Sequence, residues 1–298
     1  MELHELVPRM ELEGPVHWAT FDTEQSRSLL AGEQVHHVAY NGPRDARGVV
    51  TNTASAFALL RRQRYERVIS TGAGIALSFM PAARMLGARC HYIESAARTD
   101  RPSLTARVLE RVPGVRMYSQ STELRRRRWQ TAGSVFDVFV PEPGPPPPRL
   151  GRVVVTVGTM TFGFRRLVER LSTLLGPDDD VLWQTGGTDV TGLGIDARPF
   201  LASHELQREI AGADLVISHA GVGSALAALE SGRCPVLVPR LEAHGEHVDD
   251  HQLLIAAELA SRGLAITADP EDLDRAMLLG AAGNCVTRAA DPPPFRLA

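Results

Sequence analysis

The amino-acid sequence predicts an α/β protein with two doubly wound domains, each built on a parallel sheet. In both halves of the chain, short apolar runs typical of buried strands alternate with amphipathic runs typical of helices. Six prolines and one glycine fall within residues 141–148, and this density favours an extended linker. We therefore expect a first domain over residues 1–140, a linker over 141–149 and a second domain over 150–298.

In the first half, strands are predicted from runs of β-branched and aromatic residues, and helices from apolar positions three or four residues apart. Phe57 and Leu60 show the helical spacing, and Ser103 is a suitable N-cap for a later helix. The predicted strands are residues 16–21, 35–40, 67–70, 88–93 and 115–119. The predicted helices are residues 25–30, 49–64, 75–86 and 103–112.

The second half repeats this alternation and ends in an extended tail from Asp291, where three prolines follow one another. Its predicted strands are residues 152–157, 180–184, 213–217, 235–239 and 264–267. Its predicted helices are residues 164–175, 205–211, 225–230 and 250–262. Because strands and helices alternate throughout, we expect parallel strands joined by helical crossovers.

Glycines follow the predicted strands of the second half at the point where each strand ends, notably Gly158, Gly186 and Gly221. Ligands of doubly wound sheets bind beyond the carboxyl ends of the strands, so this pattern predicts a binding site. The stretch 217–224 is a strand-to-helix turn, and the free N–H groups and dipole of the helix favour a phosphate or diphosphate there. A tight turn that merely requires small residues is the alternative.

A loop dense in histidine and acidic residues, residues 240–252, leads into the next predicted helix. Polar groups at the start of that helix could hydrogen-bond the hydroxyls of a sugar. His244, His247 and His251 have spacings of three and four, which would suit a zinc ion if the whole loop were helical. Gly245 argues against that, and a solvated loop without a ligand is the third possibility.

Composition excludes several classes of protein. No apolar run approaches the length of a membrane-spanning helix, and no signal peptide is visible. The three cysteines are scattered, which is typical of a reducing compartment and argues against a disulfide framework. The net charge of −3 and the absence of a reading motif argue against nucleic-acid binding.

Three motifs of the second half carry a resemblance to a known family. They are His219-Ala-Gly-x-Gly-Ser224, Pro235-Val-Leu-Val-Pro-Arg240 and Gly245-Glu-His-Val-Asp-Asp-His-Gln252. This half resembles the nucleotide-sugar half of the inverting, two-domain (GT-B) glycosyltransferases of family 28, above all the bacterial exopolysaccharide glucuronosyl- and galactosyltransferases. It is also similar to the catalytic subunit of the dolichol-diphosphate N-acetylglucosaminyltransferase. The first half resembles the partner subunit in its segments 70–74 and 92–95, so the chain looks like a fusion of both subunits.

The resemblance implies a GT-B fold, with two Rossmann-like domains facing a cleft, and a site for a UDP-sugar. The residues that would hold the donor diphosphate are His219, Gly221, Gly223 and Ser224. Those that would line the nucleotide and sugar sites are Gly158, Thr159, Gln184, Gly186, Glu230, His251 and Gln252. Those on the acceptor side are Gly72, Gly74, Glu94 and Arg98. We expect no metal and no cofactor besides the UDP-sugar, because the turn itself would neutralise the diphosphate.

Two departures from the family pattern concern the ribose and the catalytic base. Many relatives carry a ribose-binding Glu where this chain has Ala227, and Glu230 could substitute for it. Relatives begin with a strand and a Gly-Gly-His turn whose His is a candidate base, whereas residues 3–6 here resemble the segment that comes after that turn. We therefore expect an N-terminally short sequence whose first domain lacks a core strand, with Glu246 as a candidate for the catalytic residue.

The sequence thus predicts an inverting, metal-independent transferase that moves a sugar from a UDP-sugar to a polyprenyl-diphosphate-linked glycan in polysaccharide biosynthesis. We expect it on the inner face of the plasma membrane, where the basic run 125–128 and Trp129 could meet anionic lipid, although a solvated helix face is the commoner origin of such a run. One alternative is a non-catalytic nucleotide-sugar-binding subunit or inactive fragment. Another is a dinucleotide-dependent oxidoreductase that uses Gly72, Gly74 and Glu94.

Overall fold

The structure is a computed structural model that describes residues 2–42, 45–124, 126–158 and 162–297. The chain forms two compact units: residues 1–137 with 293–298, and residues 138–292. None of the helices in the described ranges is long and apolar enough to cross a bilayer.

The first unit is an α/β unit whose strands run parallel to one another. Its strands are β1 (His17–Phe21), β2 (Gln34–Val38), β3 (Arg67–Ser70), β4 (Arg89–Ile93), β5 (Val115–Ser119) and β6 (Trp129–Thr131). Its helices are α1 (Glu2–Leu6), α2 (Glu24–Leu29), α3 (Ala46–Arg62), α4 (Ala73–Met85) and α5 (Leu104–Leu109). The cap predicted at Ser103 is confirmed, because the Ser103 hydroxyl accepts a hydrogen bond of 3.1 Å from the Ala106 N–H at the start of α5.

The sheet of this unit is split. Strands β3, β4, β5 and β6 pair in that order, whereas β1 and β2 pair only with each other among the described strands. A cavity of about 970 Å³ lies between β1 and β3, and residues of both strands line it. All residues of β1 and β3 are only half-buried, in contrast to the fully buried central strands of the other unit.

The second unit contains a six-stranded, wholly parallel sheet. The strands of the unit are β7 (Phe139–Glu142), β8 (Val153–Thr156), β9 (Val181–Gln184), β10 (Ala197–Arg198), β11 (Leu215–His219), β12 (Val236–Val238), β13 (Ile266–Thr267) and β14 (Cys285–Arg288). The helices are α6 (Arg165–Leu174), α7 (Ser203–Ala211), α8 (Val222–Glu230), α9 (His251–Ser261) and α10 (Arg275–Gly283). Helix α6 is amphipathic and packs Leu167, Val168 and Leu171 into the core of the unit.

The strand order in this sheet is β10-β9-β8-β11-β12-β13, so the chain reverses its winding direction between β8 and β11. These two strands are central and fully buried except for His219, the last residue of β11. The loops after β8 and β11 therefore leave the sheet at the switch point, which is where doubly wound sheets bind ligands. The second unit has the doubly wound parallel sheet that the sequence predicts. In the first unit, the strands that pair are parallel, as predicted.

Three local expectations are wrong. Residues 141–142 of the expected linker belong to β7, which pairs with β14 in an antiparallel ladder, and the whole proline-rich segment belongs to the second unit. The tail, which was assigned to the second domain, belongs to the first unit, where the Phe295 N–H donates to the Arg9 carbonyl at 2.8 Å. Around residues 126–128 there is no helix in the described part of the chain; this stretch leads into β6, and Arg126 pairs with Glu110.

Candidate functional site

The turn after β11 presents free backbone donors at the switch point. Gly221 is the N-cap of α8, and the first intrahelical bond runs from the Ala225 N–H to the Gly221 carbonyl at 3.0 Å. The N–H groups of Val222, Gly223 and Ser224 have no hydrogen-bond partner within the described ranges. Three parallel N–H groups at the positive end of a helix dipole form a site for an anion.

The ring of His219 lies between two glycines that leave room for it. A methyl group added at Gly158 would lie 2.6 Å from Cε1 of His219, and one added at Gly221 would lie 2.5 Å from Nε2. Gly158 also has a φ of +80°, which favours glycine. The loops after β8 and β11 therefore meet at this imidazole. The sequence assigned Gly158 and His219 to one site, and the two residues are in contact.

His219 is neutral at physiological pH. Burial lowers its pKa to about 4, and the positive charge of Arg240 adds to the shift. Its Nδ1 atom is buried and has no hydrogen-bond partner in the described part of the structure. A neutral imidazole can offer a ring N–H to a phosphate oxygen, but it cannot supply a full positive charge.

The residues predicted around this turn are not all free to bind a ligand. Thr159 lies outside the described residues. Gln184 is fully buried: its amide donates to the carbonyls of Gly158 (3.1 Å) and Pro199 (3.0 Å), and its oxygen accepts from the Thr156 hydroxyl. The assignment of Gln184 to the donor is therefore wrong as a direct contact, because both ends of the amide tie strand ends together.

Two further predicted donor contacts lie apart from the turn or in its support. Gly186, with a φ of +57°, donates its N–H to the Pro199 carbonyl at 2.8 Å and so shapes the end of β9. Glu230 is exposed and ends α8, about 12 Å from the start of that helix at 1.5 Å per residue. Glu230 lies three residues beyond position 227 on the same helix, and its role in place of a ribose-binding Glu stays a prediction.

The surroundings of Glu246 indicate a structural role. Arg166 on α6 donates to both of its carboxylate oxygens at 3.2 Å, and the Leu241 N–H donates to one of them at 3.1 Å. Glu246 is 5% exposed. These contacts favour a role for Glu246 in anchoring the loop, and its assignment as a catalytic residue stays a prediction.

The start of α9 groups polar side chains, as predicted, but two of them are already engaged. The oxygen of the Gln252 amide accepts a hydrogen bond of 3.0 Å from the Arg240 N–H, and the amide is buried. Nδ1 of His251 contacts a carboxylate oxygen of Asp249, and the His247 ring lies edge-on to the His251 ring with centroids 4.7 Å apart. His251 is the more accessible of the two predicted sugar contacts, because its side chain is 20% exposed.

The same start of α9 has a geometry that a metal ion could use. One ligand atom each from His247, Asp249 and His251 lies within 4.8 Å of the other two. His244 is not among them: it ends a 3-10 turn, and α9 begins only at His251, so residues 244–251 do not form the continuous helix that the zinc alternative required. The expectation that the protein needs no metal stays a prediction.

The predicted acceptor-side residues lie in the first unit and have mainly structural contacts. Gly72, with a φ of +120°, is the N-cap of α4, and a side chain at Gly74 would collide with Asn41. Glu94 is 1% exposed and accepts hydrogen bonds from the Ser103 N–H (2.7 Å) and from Tyr92 and Ser95. Burial raises its pKa.

Arg98, the fourth predicted acceptor-side residue, is half-buried, and its N–H donates to the Ser95 carbonyl at 2.9 Å. Because the carboxylate of Glu94 serves the cap of α5, it is not available to a ribose. This argues against the dinucleotide alternative.

Sequence reasoning missed two arginines. Arg166 lies on the polar side of α6 and reads as solvent-facing, and only the fold shows that it reaches Glu246. Arg240 lies two residues beyond the end of β12 and is the largest fully buried side chain of the described residues. The sequence signal for Arg240 was its position, because a cation immediately beyond a central strand of a doubly wound sheet lies where ligands bind.

Comparisons with known proteins identify a family and several similar proteins. The model of the glycosyltransferase family 28 C-terminal domain matches residues 152–291. The chain is 30% identical over 234 residues to the UDP-N-acetylglucosamine--N-acetylmuramyl-(pentapeptide) pyrophosphoryl-undecaprenol N-acetylglucosamine transferase of Parasynechococcus marenigrum, over 74% of this chain and 63% of that protein. It is 40% identical over 75 residues to the UDP-N-acetylglucosamine transferase subunit ALG13 of Yarrowia lipolytica, over 25% of this chain and 36% of that protein. The chain thus spans less than two thirds of the length of these curated relatives.

Solved structures show the same fold. Acinetobacter baumannii MurG matches with a TM-score of 0.55 at 20% identity, over 92% of this chain and 83% of that chain. The UDP-GlcNAc 2-epimerase of Methanocaldococcus jannaschii matches with a TM-score of 0.59 at 10% identity, over 99% of this chain and 93% of that chain. The GT-B type of fold is therefore confirmed. Because a transferase and an epimerase share it, the fold alone does not decide the reaction.

Proposed function

The chain belongs to glycosyltransferase family 28 through residues 152–291, and from this premise we propose that it is an inverting, UDP-sugar-dependent glycosyltransferase. The observation that carries the proposal is the turn after β11. Three N–H groups of α8 without partners in the described ranges and the neutral imidazole of His219 converge at the switch point of the sheet. This arrangement fits the diphosphate of a sugar nucleotide.

The turn also suits the chemistry of transfer. When an acceptor hydroxyl attacks the anomeric carbon from the face opposite the diphosphate, the bond to the diphosphate breaks and the configuration inverts. Negative charge then develops on the leaving UDP. Fixed N–H groups and a helix dipole stabilise that charge without reorganisation, which is the role that we assign to Gly223, Ser224 and their neighbours. We propose that no metal ion takes part.

The names of the relatives suggest the first substrates to test. The Parasynechococcus and Yarrowia proteins are named for UDP-N-acetylglucosamine, and the former for a pyrophosphoryl-undecaprenol acceptor. We therefore propose a UDP-hexose donor, with UDP-N-acetylglucosamine ahead of UDP-glucuronate and UDP-galactose, and a polyprenyl-diphosphate-linked glycan as acceptor. Peptidoglycan-type and exopolysaccharide-type acceptors share this chemistry.

Thermal unfolding tests the donor class. UDP at 100 times its dissociation constant should stabilise the folded chain by about 2.7 kcal/mol, and NAD at the same concentration should leave the midpoint unchanged. Stabilisation by NAD alone would support the oxidoreductase that the sequence left open. Transfer of labelled sugar from each UDP-sugar to a membrane extract then tests the reaction.

The first unit offers a surface for a membrane. Leu104 and Val108 lie one turn apart on α5 and are 53% and 42% exposed. Arg107 and Arg111 lie on or directly after the same helix. Apolar side chains among arginines suit an anionic bilayer surface, so we propose peripheral attachment at the inner face of the plasma membrane.

Vesicle sedimentation tests the attachment. The protein should bind vesicles with anionic lipid and release them at high salt, whereas the double variant Leu104→Asp, Val108→Asp should not bind. Binding that is unaffected by this variant would place the contact elsewhere.

A non-catalytic subunit is the second candidate, and the contacts of Glu246 favour it. Three donors already hold that carboxylate, and a chain without another base would bind a UDP-sugar without transferring it. UDP-sugar binding without turnover on any lipid-linked acceptor would support this candidate.

A further inference from the structure

Arg240 carries a positive charge into the interior of the second unit. It lies two residues beyond the end of β12, and it is 1% exposed. Nη2 donates to the Val157 carbonyl at the end of β8, and the guanidinium carbon lies 5.5 Å from the centre of the Phe164 ring, at the N-cap of α6. The guanidinium therefore lies between the end of a central strand and the start of a helix, directly beside Gly158.

This cation is not neutralised by a hydrogen-bonded carboxylate within the described ranges. Its Nε and Nη1 atoms are buried and have no hydrogen-bond partner there. Glu246 attracts it at a distance, but the oxygens of Glu246 are taken by Arg166 and by the Leu241 N–H. Burial lowers the pKa of Arg240, which reflects the cost of holding the charge away from water.

A buried cation without a partner destabilises the folded state, since desolvation costs several kcal/mol per ion when no partner offsets it. Sites that carry such a cost are commonly sites of function, where a ligand supplies the missing partner. An ordered water is the other occupant that could satisfy the free N–H groups, but it would leave the charge uncompensated.

The position of Arg240 identifies the ligand. The guanidinium touches the strand end that leads into Gly158, and Gly158 packs on the His219 ring. The positive charge of Arg240 also contributes to the lowered pKa of His219. Arg240 therefore lies close to the turn assigned to the diphosphate, where His219 is neutral and the helix start offers only partial charge.

We propose that Arg240 supplies the full positive charge of this anion site, so that the site selects ligands with a diphosphate over those with a single phosphate. The inference rests on the proposed function for the identity of the donor, but it makes a separate claim about charge. It explains how the turn could bind a leaving diphosphate without a metal ion.

Calorimetry with the full chain tests the proposal, with UDP, UMP and inorganic pyrophosphate as ligands. At an effective dielectric constant of about 20, one charge some 8 Å away is worth roughly 2 kcal/mol, which corresponds to about thirtyfold in affinity. Arg240→Met should therefore lower the affinity for UDP and for pyrophosphate by at least about tenfold, and the affinity for UMP by clearly less. Arg240→Lys should keep most of the preference for UDP over UMP.

Stability separates this role from a structural one. Replacing an uncompensated buried cation by an apolar side chain of similar size should leave the unfolding midpoint unchanged or raise it. Arg170→Met is the matched control, because the Arg170 guanidinium is half-buried and already donates to the Leu273 carbonyl. That control should lower the midpoint and leave UDP affinity unchanged.

The proposal fails if Arg240→Met lowers the midpoint as the control does and leaves the ratio of UDP to UMP affinity unchanged. If that variant does not fold, loss of the ratio in a folded Arg240→Lys protein overturns the proposal, and retention supports it. Wild-type protein that binds neither UDP nor pyrophosphate also overturns it. If the protein binds pyrophosphate through Arg240 but does not bind UDP, the charge site is supported and the UDP-sugar donor is refuted. If it binds UDP with the same affinity when Arg240 is replaced, the UDP-sugar donor is supported and the charge site is refuted.

Discussion

The guanidinium of Arg166 donates to both carboxylate oxygens of Glu246 at 3.2 Å, and this pair joins α6 to the loop ahead of α9. The side chains are 22% and 7% exposed, so the pair is largely withdrawn from water. A pair of this kind is costly to break from one side, because the remaining charge stays buried without its partner. The loop that carries His247 and leads into α9 at His251 is therefore fixed to the helix that follows β8.

Removing one member of this pair should destabilise the protein. Arg166→Met and Glu246→Gln should each lower the free energy of unfolding by about 2–3 kcal/mol, and the double variant by less than the sum. Denaturant unfolding measures all three. Arg198→Met is the control, since its pair with Glu205 is exposed and should be worth at most about 0.5 kcal/mol. A Glu246→Gln protein of unchanged stability and more than a hundredfold lower turnover would restore Glu246 as a catalytic residue.

The glycines beside His219 should not tolerate a methyl group. Gly158→Ala and Gly221→Ala place Cβ within 2.6 Å of the imidazole, so the ring must move, and each should lower the unfolding midpoint and weaken UDP at least about tenfold. Gly223→Ala is the matched control for stability, because nothing lies within 4 Å of its added Cβ and α8 gains a better helix former. Differential scanning calorimetry and UDP titration give both readouts. Equal effects at positions 221 and 223 would contradict the packing argument.

The sequence was most informative where local pattern alone determines structure. Apolar runs such as Val153–Thr156 and Leu215–His219 are buried parallel strands, and the glycines beyond them lie at the switch point as predicted. The amphipathic spacing of Arg165–Leu174 likewise gave a helix with its apolar side on the core. These features depend on residues within one or two turns of each other, so a single sequence contains them.

Features that depend on distant pairing were missed. Pro141 and Glu142 were assigned to a proline linker although they belong to the strand Phe139–Glu142, because the partner strand, Cys285–Arg288, lies more than 140 residues away. Gln184 and Glu246 are the residue types that bind sugars or move protons, yet the fold uses both to join strand ends and loops. Whether a polar side chain is free or already engaged is set by tertiary contacts, which spacing along the chain does not contain.

Removal of divalent ions should leave donor binding unchanged. The anion site is built from N–H groups of α8 and from Arg240, so treatment with a chelator should alter neither UDP affinity nor transfer, as measured by calorimetry and by turnover of labelled donor. His247, Asp249 and His251 are the residues to examine if activity falls, because their ligand atoms lie within 4.8 Å of one another. Recovery with Zn²⁺ in the wild type but not in His251→Ala would overturn the metal-independent mechanism.

The stability of the first unit should fall below neutral pH through His91. This residue is 2% exposed; burial lowers its pKa to about 4, and the charge of Arg116 adds to the shift. In the unfolded chain an imidazole titrates near pH 6.5, so between about pH 6.5 and 4 the unfolded state binds a proton that the folded state does not. The stabilisation is therefore complete above pH 6.5 and is lost as the pH falls towards 4.

The loss assigned to His91 is on the order of 2 kcal/mol between pH 7 and pH 5, if its folded and unfolded pKa values are about 4 and 6.5. Denaturant unfolding at both pH values should show this loss in the wild type, and His91→Gln should remove about that much of it because its side chain does not titrate. His244→Gln is the control, since His244 is exposed and its imidazole is solvated in both states. Equal pH dependence in the wild type and His91→Gln would mean that His91 can be protonated inside the fold, for example through movement of the Tyr118 hydroxyl, which lies 3.0 Å from its Nδ1.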